Sequence, residues 1–212
     1  MASFRGGHIS AIKIMCTADS GLGQILASAS YDDTIKLYID DPSEDWYCFS
    51  TLSGHKSTVW SLAWSPRGSY LASASDDLTI RIWKRVEEHM WKQVMELNGH
   101  ERSIYSISWG AGKATSESLG WLATTGGDGK INVWEITVRF KAYFSCVETH
   151  KPSQESPSPK TPLAAKLLTS ISEAHGVSDV NSVSWCPRQD HSDVFATAGD
   201  DGSVKVWRIV PS

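Results

Sequence analysis

Residues 54–83 read GHKSTVWSLAWSPRGSYLASASDDLTIRIW, and this stretch decides the fold. It begins with a Gly-His pair and continues in short runs that alternate apolar and polar residues. Alternation with a period of two, in runs rich in Val, Ile, Ser and Thr, is typical of β-strands and not of helices. Turn residues, Pro66 with Gly68 and then Asp76 with Asp77, separate the runs. The stretch therefore predicts consecutive antiparallel strands.

The same order of residues occurs four times along the chain. Each unit has a His, then a Ser or Thr, then an Asp, and then an aromatic residue six positions after that Asp. The histidines are 47, 45 and 75 residues apart. The members of the four units are His8, Ser28, Asp32 and Tyr38; His55, Ser73, Asp77 and Trp83; His100, Thr124, Asp128 and Trp134; and His175, Thr197, Asp201 and Trp207.

This pattern resembles the WD40 repeat, whose units each form one blade of a β-propeller. The resemblance implies an all-β fold over 7–210 with four recognisable blades, at 7–52, 53–97, 98–172 and 173–210. In each unit we expect the His to bridge the Asp and the hydroxyl, and the hydroxyl to reach the Trp Nε1–H. Such a buried chain of hydrogen bonds satisfies its donors and stiffens the blade, so these residues are predicted to be structural and not catalytic. One departure is that Lys84, Glu135 and Arg208 follow the closing Trp, where the family name expects Asp.

Four blades are fewer than the seven or so that WD40 proteins use to close a ring. We therefore expect an incomplete, open part of a seven-bladed ring. Three explanations stay open at this point. The chain could lack three N-terminal blades, it could be completed by another chain or by self-association, or it could close as an unusually small ring.

An insertion at 138–162 interrupts the third unit. Its second half reads KPSQESPSPKTP, a composition too poor in apolar residues to fold onto a core, so it is predicted to be mobile. It should separate the third and fourth strands of that unit, with the fourth near 166–171. Three hydroxyl residues precede prolines, which suits either proline-directed phosphorylation or a plain linker: Ser156, Ser158 and Thr161.

Composition and motifs argue against several classes of function. The net charge of -4 disfavours direct nucleic-acid binding. No apolar run approaches the ~18 residues of a membrane span. The sequence contains no P-loop, GxSxG or HExxH, and its four cysteines form no CxxC pair. We therefore expect no catalytic residue, metal, cofactor, small-molecule substrate or membrane partner, and we interpret the cysteines as reduced thiols of a cytosolic or nuclear protein.

Protein binding is the function that the pattern favours. Propellers present loops and strand starts around one rim, and large aromatic residues there make good anchors. Trp60 and Tyr105 follow the first apolar residue of their units and should be neighbours on adjacent blades; the alternative is that they pack between blades as core. The nearby aspartates favour a basic or polar partner. The candidate partner-binding residues are Trp60, Tyr105, Asp179, Asn181, Asp76 and Asp200.

Individual strings allow a narrower comparison. ASASYDDTIKLY at 27–38, EDW at 44–46 and SIYSISW at 103–109, with the GDDG turn at 199–202, are similar to the C-terminal four blades of the WD40 subunit of the cytosolic iron–sulfur protein assembly (CIA) targeting complex. The resemblance implies a non-catalytic adaptor, cytoplasmic and also nuclear, without a cluster of its own. It implies partners among the other subunits of that complex and the apo-proteins that receive clusters. The alternative is another WD40 scaffold, such as a ubiquitin-ligase receptor or chromatin adaptor.

Overall fold

The computed structural model describes residues 9–16, 24–41, 45–87, 89–113, 115, 117–139 and 163–210. These residues form β-strands and one short 3-10 turn, and they contain no α-helix, so the predicted all-β class is confirmed. The strands are β1 (Ile9–Cys16), β2 (Gln24–Ser30), β3 (Thr34–Asp41), β4 (Asp45–Ser53), β5 (Val59–Trp64), β6 (Tyr70–Ser75), β7 (Thr79–Arg85), β8 (Trp91–Asn98), β9 (Ile104–Gly110), β10 (Ser118–Gly126), β11 (Ile131–Val138), β12 (Leu163–Ile171), β13 (Ala174–Val177), β14 (Val180–Trp185), β15 (Val194–Gly199) and β16 (Val204–Arg208).

The strands other than β13 assemble into four antiparallel sheets in strict chain order. These are β1 to β4, β5 to β8, β9 to β12, and β14 to β16, and each strand pairs with the next one along the chain. We call the sheets blades one to four. The first strands of successive blades contact one another, β1 with β5, β5 with β9, and β9 with β14. Within the described residues the blades form no closed ring.

Apolar side chains from facing blades form the core. Between the second and third blades, Ile80 and Ile82 of β7 pack with Ile104 and Ile107 of β9 and with Leu122. All five are at least 97% buried. The strand alternation explains this, since every second side chain of a strand points to the same neighbouring blade. Burial of these faces stacks the sheets.

Serine side chains add hydrogen bonds where the first strands of two blades meet. The backbone N–H groups of Val183 and Trp185 donate to Ser106 Oγ and Ser108 Oγ, each at 3.1 Å. The serines lie on β9 and the two donors on β14, which belong to different sheets and are not paired by backbone hydrogen bonds. The hydroxyls therefore satisfy backbone donors that a ladder would otherwise have to satisfy.

The insertion lies between the third and fourth strands of the third blade, as predicted. β11 ends at Val138 and β12 starts at Leu163. Two details differ from the sequence prediction: Val138 belongs to a strand that pairs with Leu163, and the fourth strand starts three residues earlier than expected because this pairing extends the ladder. The predicted mobility of the insertion, and Ser156, Ser158 and Thr161, lie outside the described residues.

The fourth blade has three described strands, and β16 is its outermost one. Val204 and Val206 of this strand are each 71% exposed. The corresponding strand of the second blade, β7, is covered on that edge by β8.

The described residues contain no helix that is long and apolar enough to cross a membrane.

Candidate functional site

The second blade contains a buried chain of polar side chains. His55 lies in the loop before β5, and its Nδ1 is 2.8 Å from Asp77 Oδ2 while its Nε2 is 2.7 Å from Ser73 Oγ. Trp83 Nε1–H donates to the same Ser73 oxygen at 2.9 Å. All four side chains are satisfied when Nδ1–H donates to Asp77, Ser73 O–H donates to Nε2, and Ser73 Oγ accepts from the indole. The histidine therefore ties the β6–β7 turn to the middle of the sheet.

The Asp77 carboxylate accepts hydrogen bonds from three residues around this turn. It accepts from the backbone N–H of Lys56 at 3.0 Å and from the Thr79 hydroxyl at 2.6 Å, besides His55. Burial alone would raise the pKa of Asp77, but these hydrogen bonds outweigh it and lower the pKa to about 2. Burial lowers the pKa of His55, and the attraction of Asp77 only partly opposes this shift. The pair therefore consists of an ionised aspartate and a neutral histidine at neutral pH.

The fourth blade repeats the chain of bonds completely. His175 Nδ1 is 2.8 Å from Asp201 Oδ1, and its Nε2 is 2.8 Å from Thr197 Oγ1. Trp207 Nε1–H donates to Thr197 Oγ1, also at 2.8 Å. Hydrogen bonds from His175 and from the Ser203 backbone hold the pKa of Asp201 well below its ordinary value.

The third blade lacks the last bond of this chain. His100 Nδ1 is 3.0 Å from Asp128 Oδ2, and its Nε2 is 2.9 Å from Thr124 Oγ1. Trp134 Nε1 is buried and has no hydrogen-bond partner among the described residues, whereas the sequence predicted a bond to Thr124. The indole packs instead against the Cα side of Gly99, where an added Cβ would lie 2.9 Å from Trp134 Cζ2. A position this close to the backbone leaves the ring fixed by packing and not by its donor.

The first blade keeps only part of the arrangement within the described residues. Asp32 accepts from the Thr34 backbone N–H at 3.0 Å and from the Thr34 hydroxyl at 2.6 Å. These bonds lower the pKa of Asp32. His8 lies outside the described residues.

This buried layer offers little chemistry to a substrate. Each of His55, His100 and His175 uses both ring nitrogens within its own blade. No group of three or more His, Cys, Asp or Glu with the geometry of a metal site occurs in the part of the chain that the structure describes. The layer fixes the turns at one end of the blades, and the side chains that it orients lie beside it on the surface.

A row of aromatic rings crosses these turns. The centroids of Trp60 and Tyr105, on adjacent blades, are 6.1 Å apart with an edge-to-face angle of 85°. Tyr31 of the first blade lies 5.3 Å from Trp60 on its other side, at 74°. Trp60 and Tyr105 are both half-buried, and neither belongs to a core cluster of the described residues. The rings are therefore a surface feature and not core packing between blades.

Three aspartates flank the row, each next to a neutral donor. Asp76 accepts from Trp60 Nε1–H at 3.3 Å, and Asp179 accepts from the Tyr105 hydroxyl at 3.4 Å. Asp200 accepts from the Asn181 side-chain amide. Burial raises the pKa of Tyr105, and the charges of Asp179, Asp76 and Asp200 raise it further, so all three carboxylates act on one hydroxyl.

A glycine makes room for Tyr105. The third blade has Gly127 where the second and fourth have Asp76 and Asp200. A Cβ at this glycine would lie 3.0 Å from the Tyr105 hydroxyl and 3.4 Å from Asp179 Oδ2. The missing side chain therefore lets Tyr105 reach across from the third blade to the fourth.

Comparison with known proteins gives a family. The model of the WD domain, G-beta repeat, matches residues 2–38, 46–84, 91–135 and 166–208. The chain belongs to the WD40 family. Its four sheets are thus WD40 blades, and the buried layer and the row of rings lie at one rim of a WD40 propeller segment.

Curated relatives within this WD40 family share one name, "Probable cytosolic iron-sulfur protein assembly protein 1". The relative from Cryptococcus neoformans is 36% identical over 205 residues, which cover 93% of this chain and 36% of the relative. The relative from Neurospora crassa is 29% identical over 224 residues, covering 87% and 47%. The one from Pyricularia oryzae is 29% identical over 226 residues, covering 89% and 51%. The WD40 chain thus spans between a third and about half of the length of these relatives.

The structure brings the six candidate rim residues of the WD40 segment to one end of the second, third and fourth blades. Trp60 lies beside Asp76, Tyr105 beside Asp179, and Asn181 beside Asp200. Tyr31 joins them although it was not among the six candidates. Its place in the repeat already puts it at the rim, because it stands directly before Asp32 as Asp76 stands before Asp77.

Proposed function

We propose that this chain is an adaptor of cytosolic iron–sulfur protein assembly that helps to deliver clusters to apo-proteins. The observation that carries the proposal is that relatives named for this process align with 87–93% of the chain, through all four WD40 repeats. Its partners in this proposal are the other subunits of the CIA targeting complex and the apo-proteins. It acts in the cytoplasm and also in the nucleus.

The rim is the proposed partner-binding surface, and the repeat itself supports this. The buried layer has Asp at the same place in every unit, at positions 32, 77, 128 and 201. The position directly before it is Tyr, Asp, Gly and Asp in turn. The same sheet forms with all four residues at this position, so the fold does not dictate them. A position whose residue type the fold does not dictate, and which holds the half-exposed Tyr31 in the first blade, suits a protein interface.

The adaptor is proposed to be non-catalytic and without a resident cofactor, as WD40 proteins generally are scaffolds. The chemistry of the buried layer supports this, because its histidines and carboxylates are held in hydrogen bonds to one another and to the backbone. The domain boundaries that we propose are 7–210 for the propeller segment, with blades at 7–52, 53–97, 98–172 and 173–210.

Affinity purification of the tagged 212-residue chain, followed by identification of the proteins that copurify, tests the proposal. We expect iron–sulfur assembly proteins in the eluate. Trp60→Ala and Tyr105→Ala should reduce their recovery without lowering the melting temperature, since both rings lie at the surface. Tyr47→Ala, which removes an exposed ring of β4, is the matched control and should leave recovery unchanged.

One result would contradict the adaptor role, and another would contradict the rim as its binding surface. Recovery of ubiquitin-ligase or chromatin proteins in place of assembly proteins would favour the other WD40 scaffold. Full recovery of assembly proteins by the double variant Trp60→Ala and Tyr105→Ala would leave the adaptor role intact but remove the rim as its binding surface.

A further inference from the structure

The rim carries a mixed aromatic and acidic surface whose chemistry points to one kind of ligand group. We call Tyr31, Trp60, Tyr105, Asp76 and Asp179 the rim cluster. We propose that the rim cluster binds the guanidinium group of an arginine side chain in a partner protein. The proposal rests on the assignment of the rim as the partner-binding surface, and it adds the chemical group that this surface recognises.

The aromatic half of the rim cluster is arranged edge to face and not stacked. Tyr31 and Tyr105 flank Trp60 at 74° and 85°. In such an arrangement the edge of one ring meets the face of the next, and the three rings do not cover one another fully. Tyr31 is 50% exposed. Ring surface that stays in contact with solvent attracts cations through the quadrupole of the ring.

The acidic half lacks a cation of its own. In the described part of the chain, no Lys or Arg forms a salt bridge with Asp76 or Asp179, or with Asp200, which lies outside the rim cluster. Their side-chain hydrogen bonds come from indole, hydroxyl and amide groups, which leave the negative charge in place.

Two lysines near the rim, Lys130 in the turn before β11 and Lys205 in β16, are paired with other carboxylates. Lys130 Nζ lies 2.6 Å from Glu101 Oε1, and Lys205 Nζ lies 3.7 Å from Asp201 Oδ2. These two lysines are therefore not placed on the rim carboxylates, and a cation from a partner can pair with those carboxylates.

A guanidinium fits this surface better than an ammonium does. It is planar and weakly hydrated, so it can lie against an aromatic ring while its N–H groups point outward to carboxylates. The Trp60–Tyr105 pair has Asp76 beside one ring and Asp179 beside the other. A flat cation on this pair can therefore donate to carboxylates on two blades, whereas an ammonium has a compact charge with a strongly held hydration shell.

The experiment titrates the 212-residue chain with the capped tripeptide acetyl-Gly-Arg-Gly-amide and follows the NMR signals of the indole N–H protons. The Trp60 signal is assigned by its loss in Trp60→Phe. We expect this signal to shift and saturate. Replacing arginine with the neutral isostere citrulline should weaken binding about tenfold, because charge and cation–π attraction are both lost. Replacing it with lysine should weaken binding about threefold.

Variants locate the site. Asp76→Asn and Asp179→Asn should each weaken binding of the arginine peptide about threefold to fivefold, which is the size of one exposed charge interaction. Both changes keep the side-chain shape, so the blades should fold. Glu87→Gln removes one charge from the turn between β7 and β8, at the opposite end of the blade, and serves as the matched control with unchanged binding.

Equal affinity for the arginine, lysine and citrulline peptides would overturn the proposal, and so would unchanged affinity in the doubly neutralised variant Asp76→Asn and Asp179→Asn. The outcome is separable from that of the proposed function. Copurification of iron–sulfur assembly proteins without arginine binding sinks this inference alone. Arginine binding with no assembly proteins in the eluate sinks the proposed function and leaves a rim that recognises arginine in another partner.

Discussion

Asp76 and Asp77 are neighbours in the chain, yet they belong to two different regions of the molecule. The side chain of Asp77 is 6% exposed and is held by His55, by Thr79 and by a backbone N–H. The side chain of Asp76 turns the other way and contacts the partly exposed indole of Trp60. One turn thus supplies a buried layer that fixes the blade and a rim that is left for other molecules.

The other blades show what this difference teaches. Asp201 is tied to His175, while its neighbour Asp200 contacts Asn181 at the surface. In the third blade the outer neighbour is Gly127, and in the first it is Tyr31. The inner position is always Asp because the His and the turn amides need an ionised acceptor there. The outer position varies because the blade forms with any of these residue types there.

The largest effect is expected from Asp77→Ala. This change leaves His55 Nδ1 and the Lys56 amide without their acceptor in a buried site, so the free energy of unfolding should fall by about 3 kcal/mol. Asp76→Ala in the same turn should change it by less than about 0.5 kcal/mol. Urea unfolding followed by circular dichroism measures both. Equal losses in the two variants would contradict the division between layer and rim.

The sequence predicts the buried layer better than it predicts the rim. His55, Ser73, Asp77 and Trp83 stand at fixed spacings because one geometry repeats, and repetition can be recognised in a single sequence. The contact between Tyr105 and Asp179 is made across two blades. It depends on how the sheets stack, and the spacing of residues along the sequence does not encode this. The missing hydrogen bond of Trp134 could not be predicted either. The third unit has the same four residue types, His, Thr, Asp and Trp, as the fourth unit, in which the bond forms.

Acidification should destabilise the buried layer in two steps. The pKa of His55 is lower in the folded chain than its ordinary value of 6.5, so protons favour the unfolded chain as the pH falls below about 6.5. The pKa of Asp77 falls from 3.8 to about 2 on folding, which contributes roughly 2 kcal/mol above pH 3.8 and is lost between 3.8 and about 2. Urea midpoints measured from pH 8 to pH 2 report these steps.

Variants assign the acid steps to the layer. Asp77→Asn should reduce the second step, because the amide does not titrate while the carboxyls of Asp32, Asp128 and Asp201, whose pKa values are also lowered, still do. Asp76→Asn should leave the step unchanged. A second step of unchanged size in Asp77→Asn would show that other carboxylates cause the acid instability.

A methyl group added at a glycine of the buried layer should lower stability more than one added at a glycine of the rim, and both losses should be smaller than that of Asp77→Ala. In Gly99→Ala the new Cβ would lie 2.9 Å from Trp134 Cζ2, a rigid ring in a filled space, and we expect a loss of about 1–2 kcal/mol. In Gly127→Ala the nearest atom is the hydroxyl of Tyr105 at 3.0 Å, the far end of a side chain at the surface. This ring can rotate away, so the variant should lose less stability than Gly99→Ala. Thermal unfolding of both variants makes the comparison, and a larger loss for Gly127→Ala would contradict it.

The smallest expected effect compares two indoles within the layer itself. Trp83 Nε1–H donates to Ser73 Oγ, whereas Trp134 Nε1 is buried without an acceptor in the part of the chain that the structure describes. Phenylalanine removes the N–H from each and also shrinks each ring, so the loss of packing is similar and the hydrogen bond makes the difference. Trp83→Phe should therefore destabilise the chain by about 1 kcal/mol more than Trp134→Phe, since the former also leaves Ser73 with one partner fewer. Urea unfolding of the two variants, side by side, measures this difference. If Trp134→Phe lowers the free energy of unfolding as much as Trp83→Phe does, the indole of the third blade has a hydrogen bond in solution. The hydrogen-bond chains of the second, third and fourth blades are then more alike than their geometry indicates.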